Sequence, residues 1–400
     1  MLNWADRFNI FSFLDHNEYP NAKGSFDCML AAGASKYHRL DSIESLETLK
    51  NFHKETPGWL FGHLNYPSPN NDVVGFPAAC FFCPEFLIQV KGEEVFILIS
   101  TLDPSIIFKE ICAAHDEISD SSNTQVEVIS GISESDYIHK LQKIKEHIQR
   151  GDCYEINFCQ SFQADDVTRQ PLSLFHKLNK LSPNPFAALY KLESSYCICA
   201  SPERFIAKKS SNVFSQPIKG TAKRDLADWN EDSIIKEKLY HSFKERSENV
   251  MIVDLVRNDL SKVCERGSVT VDELFGIYTF PNLHHMISTI SGTIHADKHW
   301  TEIIEACFPM GSMTGAPKKR VMELTEQYET VPRGLFSGTI GYIQPDGDFD
   351  FNVVIRSIFL NTETQKLFFM AGGGITINSD PEQEYAESKA KAEAIIKVLQ

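Results

Sequence analysis

Two pairs of acids in this sequence share one spacing. Glu245 and Glu248 stand three residues apart, and Glu384 and Glu387 repeat the interval. On a helix that interval puts both carboxylates on one face. Carboxylate oxygens suit Mg²⁺, which keeps several waters and takes one or two protein carboxylates beside an anionic ligand. A solvated acidic face fits the same pattern. Lys219 lies in QPIKGT (216–221), a lone cation between Ile218 and Gly220. Burial there would lower its pKa and free an amine nucleophile; a lysine on a surface turn is the alternative. Gly372, Gly373 and Gly374 follow the apolar run LFFMA. Three glycines let a backbone approach a ligand closely, or simply turn the chain out of a strand. In GSMTGAPKKR (311–320), Pro317 fits the first turn of a helix whose free N–H groups favour an anion. A glycine-rich turn with a solvated basic face fits as well. This is not a phosphate loop of the Walker type, because no Ser or Thr follows Lys318.

Such residues need elements to hold them. Ser133 can cap a helix in which Ile138, Leu141, Ile144 and Ile148 form one apolar stripe, and Gly151 ends it. A strand over 154–162 follows. Further strands are expected at 186–192, 196–200, 204–207 and 213–215. A long helical stretch is expected from about 231 to 263, and helices at 301–307 and 316–327. Strands at 337–344, 349–360 and 366–371 then lead into a last helix from Pro381. Upstream, 76–82 and 85–98 are rich in β-branched and aromatic residues between Pro and Gly breakers. Runs of strands between helices argue for an α+β fold with antiparallel sheets. The polar run DEISDSSNT (116–124) divides a strand-rich N-terminal portion, 1–130, from a C-terminal portion, 131–400.

Composition narrows the field. The 400 residues are 42% hydrophobic and 23% charged, which is ordinary globular usage. Lys and Arg number 39 against 54 Asp and Glu, a net charge of −15. That field repels nucleic acid and anionic membranes, so neither is an expected partner. An anionic substrate therefore needs a locally basic pocket or a metal. The N-terminus lacks a basic segment followed by an unbroken apolar one, so no signal peptide is expected, and no apolar run is long enough to span a bilayer. Ten scattered cysteines suggest reduced thiols and a cytoplasmic protein. The CxxC of Cys80 and Cys83 has no second ligand pair, so buried cysteines are expected rather than a zinc site.

Taken together and in order, these segments resemble the chorismate-utilising enzymes, which include the anthranilate, aminodeoxychorismate, isochorismate and salicylate synthases. The resemblance is carried by SPERF (201–205), PIKGT (217–221), SENVMIVDLVRNDL (247–260), HHMISTISG (284–292) and CFPMGSMTGAPKKRVMEL (307–324). SGTIGYI (337–343), the VVIRS segment around Arg356 and AGGGITINSDPEQEYAESKAKAEAI (371–395) extend it. Within the family the PIKGT form resembles the aminodeoxychorismate synthases, whereas the anthranilate synthases resemble PIAGT. The isochorismate-type enzymes resemble a pattern with a Lys base where this chain has Glu155, which argues against water as nucleophile here. Amine-adding members resemble a form with Gln there, so Glu155 departs from both.

The resemblance implies two large, roughly orthogonal antiparallel sheets stacked as a core, with peripheral helices and with the N-terminal strands joined to that core. It implies Mg²⁺ on Glu248 and Glu387, with Glu245 and Glu384 behind them through water. It implies Glu203 as the acid that protonates the departing 4-hydroxyl of chorismate, Lys219 as a covalent nucleophile, and His285 near the leaving group. Thr221, Tyr342, Arg356, Lys391 and the backbone of Gly372, Gly373 and Gly374 are implied substrate contacts. The implied reaction is amination of chorismate by ammonia to 4-amino-4-deoxychorismate, on the route to p-aminobenzoate and folate. Anthranilate formation, and a non-catalytic chorismate-binding regulator, are the alternatives. No Cys in a G-x-C-x-G turn is present, so a separate glutaminase subunit is implied as the ammonia source.

Overall fold

The computed structural model describes residues 1–19, 26–68, 72–114 and 126–400. The polar run at 116–124 lies outside the described residues. Among them, 19 strands join one hydrogen-bonded ladder, every pairing antiparallel. Its spine is two long strands, Cys28–Leu40 and Ala79–Lys91, paired from Cys28↔Val90 to Leu40↔Ala79.

Two arms leave this spine. The first runs through Ile10–Asp15, Phe186–Leu192, Ser195–Ser201, Ser357–Asn361 and Lys366–Ile375 to Glu155–Ala164. The second runs through Leu60–Leu64, Thr339–Ile343, Phe349–Asn352, Arg204–Lys209 and Asn212–Gln216 to Leu283–Thr293. That last strand also pairs with Ile218–Lys223 and Thr270–Thr279. N-terminal strands thus enter both arms.

The arms face one another across a shared core. Tyr190, Cys197 and Phe368 of the first arm are buried in one cluster with Phe205, Ile340 and Phe351 of the second. His63 and Tyr190 bridge the arms by a buried hydrogen bond of 3.0 Å. Strand side chains alternate, so the neighbours Leu189, Ile198 and Phe369 face outward. There they pack against Phe175 of the helix Pro171–Leu181 and Ile395 of the helix Pro381–Leu399. The two-sheet expectation therefore takes the form of one ladder folded on itself.

The helix after Ser133 spans Glu134–Arg150, with the Ser133 hydroxyl accepting from Asp136 N and Gly151 at φ 84° closing it. The stretch expected from 231 to 263 is two helices, Trp229–His241 and Phe243–Ser261. Ser242 between them is extended (ψ 115°), and its hydroxyl accepts from Glu245 N, so a new helix starts there. The strand expected at 85–98 is the end of Ala79–Lys91 plus Glu94–Ile99, turned at Gly92 (φ 58°). The strand expected at 349–360 breaks into two around Arg356, whose φ of 52° no strand accommodates. No helix among the described residues is long and apolar enough to cross a membrane. All ten cysteines are free.

Candidate active site

The far ends of the two arms meet at Lys219. It sits on Ile218–Lys223, whose register against Leu283–Thr293 shifts between Ile218 and Thr221. Gly220 occupies that shift at φ 97°, a conformation L side chains avoid. A Cβ there would also lie 3.1 Å from a Glu245 carboxylate oxygen, so the helix Phe243–Ser261 packs directly over the bulge. Ser288 Oγ donates to Asn249 Oδ1 at 2.6 Å and fastens that helix to the strand beneath.

From the other arm comes Glu155, at the head of Glu155–Ala164. Lys219 Nζ donates to Glu155 Oε1 at 2.5 Å, and both side chains are buried, 11% and 1% exposed. Burial alone lowers the lysine pKa, but the carboxylates of Glu155, Glu248 and Glu203 outweigh it and raise the value. This corrects the expectation of a free amine: the resting side chain is an ammonium.

The glycines make room for this pair. They do not form a turn after a strand, as expected, but continue it: Gly372, Gly373 and Gly374 lie within Lys366–Ile375, paired with Cys159, Phe158 and Asn157. A Cβ on Gly374 would stand 2.7 Å from Glu155 Oε1 and 2.8 Å from Lys219 Nζ. On Gly372 it would meet the Phe158 carbonyl at 2.0 Å. At Gly373 the nearest atom is a Glu384 oxygen at 3.2 Å.

Glu203 follows the strand Ser195–Ser201 and is buried. Burial pushes its pKa up to about 7 against the pull of Ser312, Lys219 and Arg356, so a large share of it keeps a proton near neutrality. Arg356, in its left-handed backbone conformation, turns its guanidinium to the same place. Burial draws its pKa down to about 10, with Glu203 and Tyr19 opposing. Among the described residues no carboxylate lies within ion-pair distance of it; a long 3.5 Å contact to His285 Nε2 is its side-chain partner. An arginine only donates, so His285 Nε2 accepts and Nδ1–H donates to Thr221 Oγ1 at 2.9 Å. Burial, Arg356 and His284 hold the His285 pKa well below the usual range, so this imidazole is neutral and fitted to orient Thr221 and Arg356.

The four helical acids converge on the opposite wall. Burial raises the pKa of Glu248 to about 7, with Glu155 and Glu245 adding to it, and its Oε1 is buried without a hydrogen-bond partner. Burial also raises that of Glu245, and Glu387 and Glu384 add to it. Glu384 accepts from Ser379 Oγ at 2.8 Å and lies 3.6 Å from Lys244 Nζ. Glu387 pairs with Lys391 at 2.8 Å; burial opposes its ionisation, but Lys391, Lys244 and Lys219 win and its pKa falls. Lys391 also donates to the Gly372 carbonyl. With the acids drawn toward lysines, no three His, Cys, Asp or Glu side chains among the described residues already surround one point.

Two expectations find other places. Tyr342 packs edge-on or tilted among Phe26, Trp59 and Phe61, with Asp350 and Arg204 as its charged neighbours. None of these belongs to the cluster around Lys219, so the structure does not bring Tyr342 to it. Lys318 of GSMTGAPKKR donates to Asp259 and to the Cys307 carbonyl, at 2.6 and 2.9 Å. Its charge meets the protein's own Asp259 carboxylate and braces the helix Phe243–Ser261.

The pattern of the chorismate binding enzymes matches residues 17–397. The chain belongs to that family. Aminodeoxychorismate synthase component 1 of Escherichia coli is 40% identical over 271 residues, 68% of this chain and 59% of that protein. The protein of the same name from Bacillus subtilis is 30% identical over 399 residues, 96% of this chain and 79% of its own length. The chain thus spans about three-fifths of the first relative. Anthranilate synthase component I of Streptococcus pneumoniae shares the fold at TM-score 0.77 and 24% identity, covering 92% of this chain and 91% of that one. The menaquinone-specific isochorismate synthase of E. coli does so at 0.79 and 16%, covering 100% and 91%.

Family motifs left out two residues of the site. Lys244 stands beside Glu245, and Glu384, Glu248, Glu245 and Glu387 raise its pKa in spite of burial. Its signal was a cation one helical turn before Glu248. Tyr19 reaches Arg356 from the N-terminal portion and packs on Phe280, itself edge-on to His285. No local pattern around Tyr19 marks it.

Proposed function

We propose that this chain aminates chorismate with ammonia, giving 4-amino-4-deoxychorismate for p-aminobenzoate and folate synthesis. The observation that carries this is one buried cluster holding a nucleophile, an acid and an anion receptor: Lys219, Glu203 and Arg356. The curated relatives named above support the choice of reaction.

Hydroxide leaves poorly, so a positioned acid is required. Glu203, protonated near neutrality, supplies that proton. Lys219 as free amine attacks ring carbon 2, the ring double bonds shift, and the 4-hydroxyl leaves as water with the proton of Glu203. Ammonia then attacks carbon 4, the double bonds shift back, and the lysine nitrogen leaves carbon 2 with its bonding pair. The new ammonium at carbon 4 sheds a proton. Arg356 offers its two-pronged guanidinium to a substrate carboxylate, while Thr221, Lys391 and the Gly373 backbone line the approach.

The donor types suit Mg²⁺: Glu248 Oε1 is buried and unpartnered, and Glu245, Glu384 and Glu387 act with it on the same Lys244. Glu248 and Glu387 would hold the ion directly, with Glu245 and Glu384 behind them. When bound it offsets the repulsion between these acids and a dianionic substrate. Ammonia would come from a separate glutaminase subunit.

Product identification tests the reading. The purified chain, given chorismate, Mg²⁺ and ammonium, should yield an aminated product that keeps the enolpyruvyl group, and chelation should abolish it. Anthranilate plus pyruvate would overturn this reading.

A further inference from the structure

Lys219 presents a difficulty that the reaction must solve. The attacking species is an amine, yet the resting lysine is an ammonium ringed by carboxylates. Its side chain is nearly sealed from bulk water, so the proton needs an acceptor inside the protein. The charged and titratable groups facing Lys219 are Glu155 and Cys159 from Glu155–Ala164, Glu245 and Glu248 from Phe243–Ser261, Glu387 from Pro381–Leu399, and Glu203. Burial pushes the Cys159 thiol up to about 12, so it keeps its own proton. Glu203 already holds the proton that the hydroxyl needs. Glu245, Glu248 and Glu387 lie on the wall suited to a cation.

Glu155 differs from all of them. Its Oε1 is the hydrogen-bond acceptor of Lys219 Nζ, so a proton can cross without any rearrangement. Its Oε2 is fully buried and has no hydrogen-bond partner. A carboxylate meant to stay charged in such a place is normally held by several donors. Here Lys219 is the one donor among the described residues. A proton passed from Lys219 to Glu155 leaves the buried pair neutral overall. The opening at Gly374 keeps both groups in contact.

We propose that Glu155 is the proton partner of Lys219, taking the proton from the ammonium before attack and returning it when the lysine departs. The inference rests on the amination reading above. In the first step Glu155 gains the proton lost by Nζ, and the freed lone pair forms the bond to carbon 2. In the second that bond breaks, its electron pair returns to Nζ, and Glu155 gives the proton back. Net protonation of the pair is unchanged throughout, so this step adds no pH dependence of its own.

Glu155→Gln keeps the size and the contact but accepts no proton. In that variant the lysine proton must reach bulk water. The test measures ammonia-dependent kcat/KM of wild type and variant from pH 6.5 to 8.5, with free ammonia held constant. Their ratio cancels the effect of Glu203, which both proteins keep. The expected ratio is about 10²- to 10³-fold below one at the acid end and climbs roughly tenfold per pH unit. A ratio that does not change with pH overturns the proposal: near one it means no role, and uniformly low it means a structural role. Glu155→Asp retains the acceptor and should give a reduced ratio that is flat with pH. If the Gln variant fails to melt cooperatively, a sloping Asp ratio overturns the proposal instead. Wild type that forms no aminated chorismate overturns the amination reading and the proton partner with it, a result distinct from an active wild type with a flat ratio.

Discussion

In the proposed amination Glu203 and Lys219 make opposite demands on the proton: one must arrive protonated and the other must become bare. For Glu203 the fold meets the demand by burial, which moves the midpoint to about 7. The acid form is the working one, so kcat/KM at fixed free ammonia should fall about tenfold per pH unit above that midpoint. Glu203→Gln should lower it by about 10²- to 10⁴-fold and remove the limb. A limb that survives the substitution would assign it to another group. His285, neutral and clamped between Thr221 and Arg356, takes no part in that titration.

Elements decide how these side chains meet. The glycine strand is the sharpest case, because three neighbouring glycines face three different surroundings. Gly374→Ala puts a methyl into the Lys219–Glu155 contact at 2.7–2.8 Å. Displacing reacting groups by such amounts costs about 10²-fold in rate, so kcat/KM should fall by that much while the melting temperature changes little. Gly373→Ala meets the movable side-chain ends of Glu384 at 3.2 Å and of Glu387 and Lys391 at 3.9 Å, so its loss should be smaller than that of Gly374→Ala. Steady-state kinetics on the two variants checks the contrast; equal losses would contradict the geometry. Sequence patterns made the helices that carry the acid pairs and about half of the strands readable, since stripe, cap and alternation are local; the helices Glu47–Glu55, Pro104–Ala113 and Pro171–Leu181 and the long strands Cys28–Leu40 and Leu283–Thr293 were not among the expectations. They did not show that GGG lies inside a strand, because the reason is the partner strand Glu155–Ala164, far away in sequence. Nor did they show the break at Ser242, where a capping hydroxyl interrupts an otherwise continuous helical pattern. Lys219, Glu203 and the acid pairs stood out in motifs. Tyr342 shows the limit of motif matching: its segment fits the family, but its ring faces the aromatic core.

At the scale of the whole molecule, the site exists because a ladder of strands folds back on itself. Lys219 comes from the end of one arm, and Glu155 and Gly374 from the end of the other. The bridge between His63 and Tyr190 helps fix that closure. His63 Nε2 donates to the Pro77 carbonyl, so Nδ1 accepts from the Tyr190 hydroxyl. Tyr190→Phe leaves Nδ1 buried and unsatisfied, a cost of about 1–3 kcal/mol. Urea denaturation should show that loss, with the reaction product unchanged. An unchanged midpoint would mean that this hydrogen bond adds nothing to the closure.

The account stands or falls on Lys219 as the atom that bonds to the ring. Intact-protein mass spectrometry of the chain with chorismate and Mg²⁺, without ammonia, tests this most directly. The account predicts a species heavier by chorismate less one water, mapped to Lys219, cleared when ammonium is added and missing in Lys219→Ala. Full amination activity in Lys219→Ala, with no such adduct on the wild type, would contradict it.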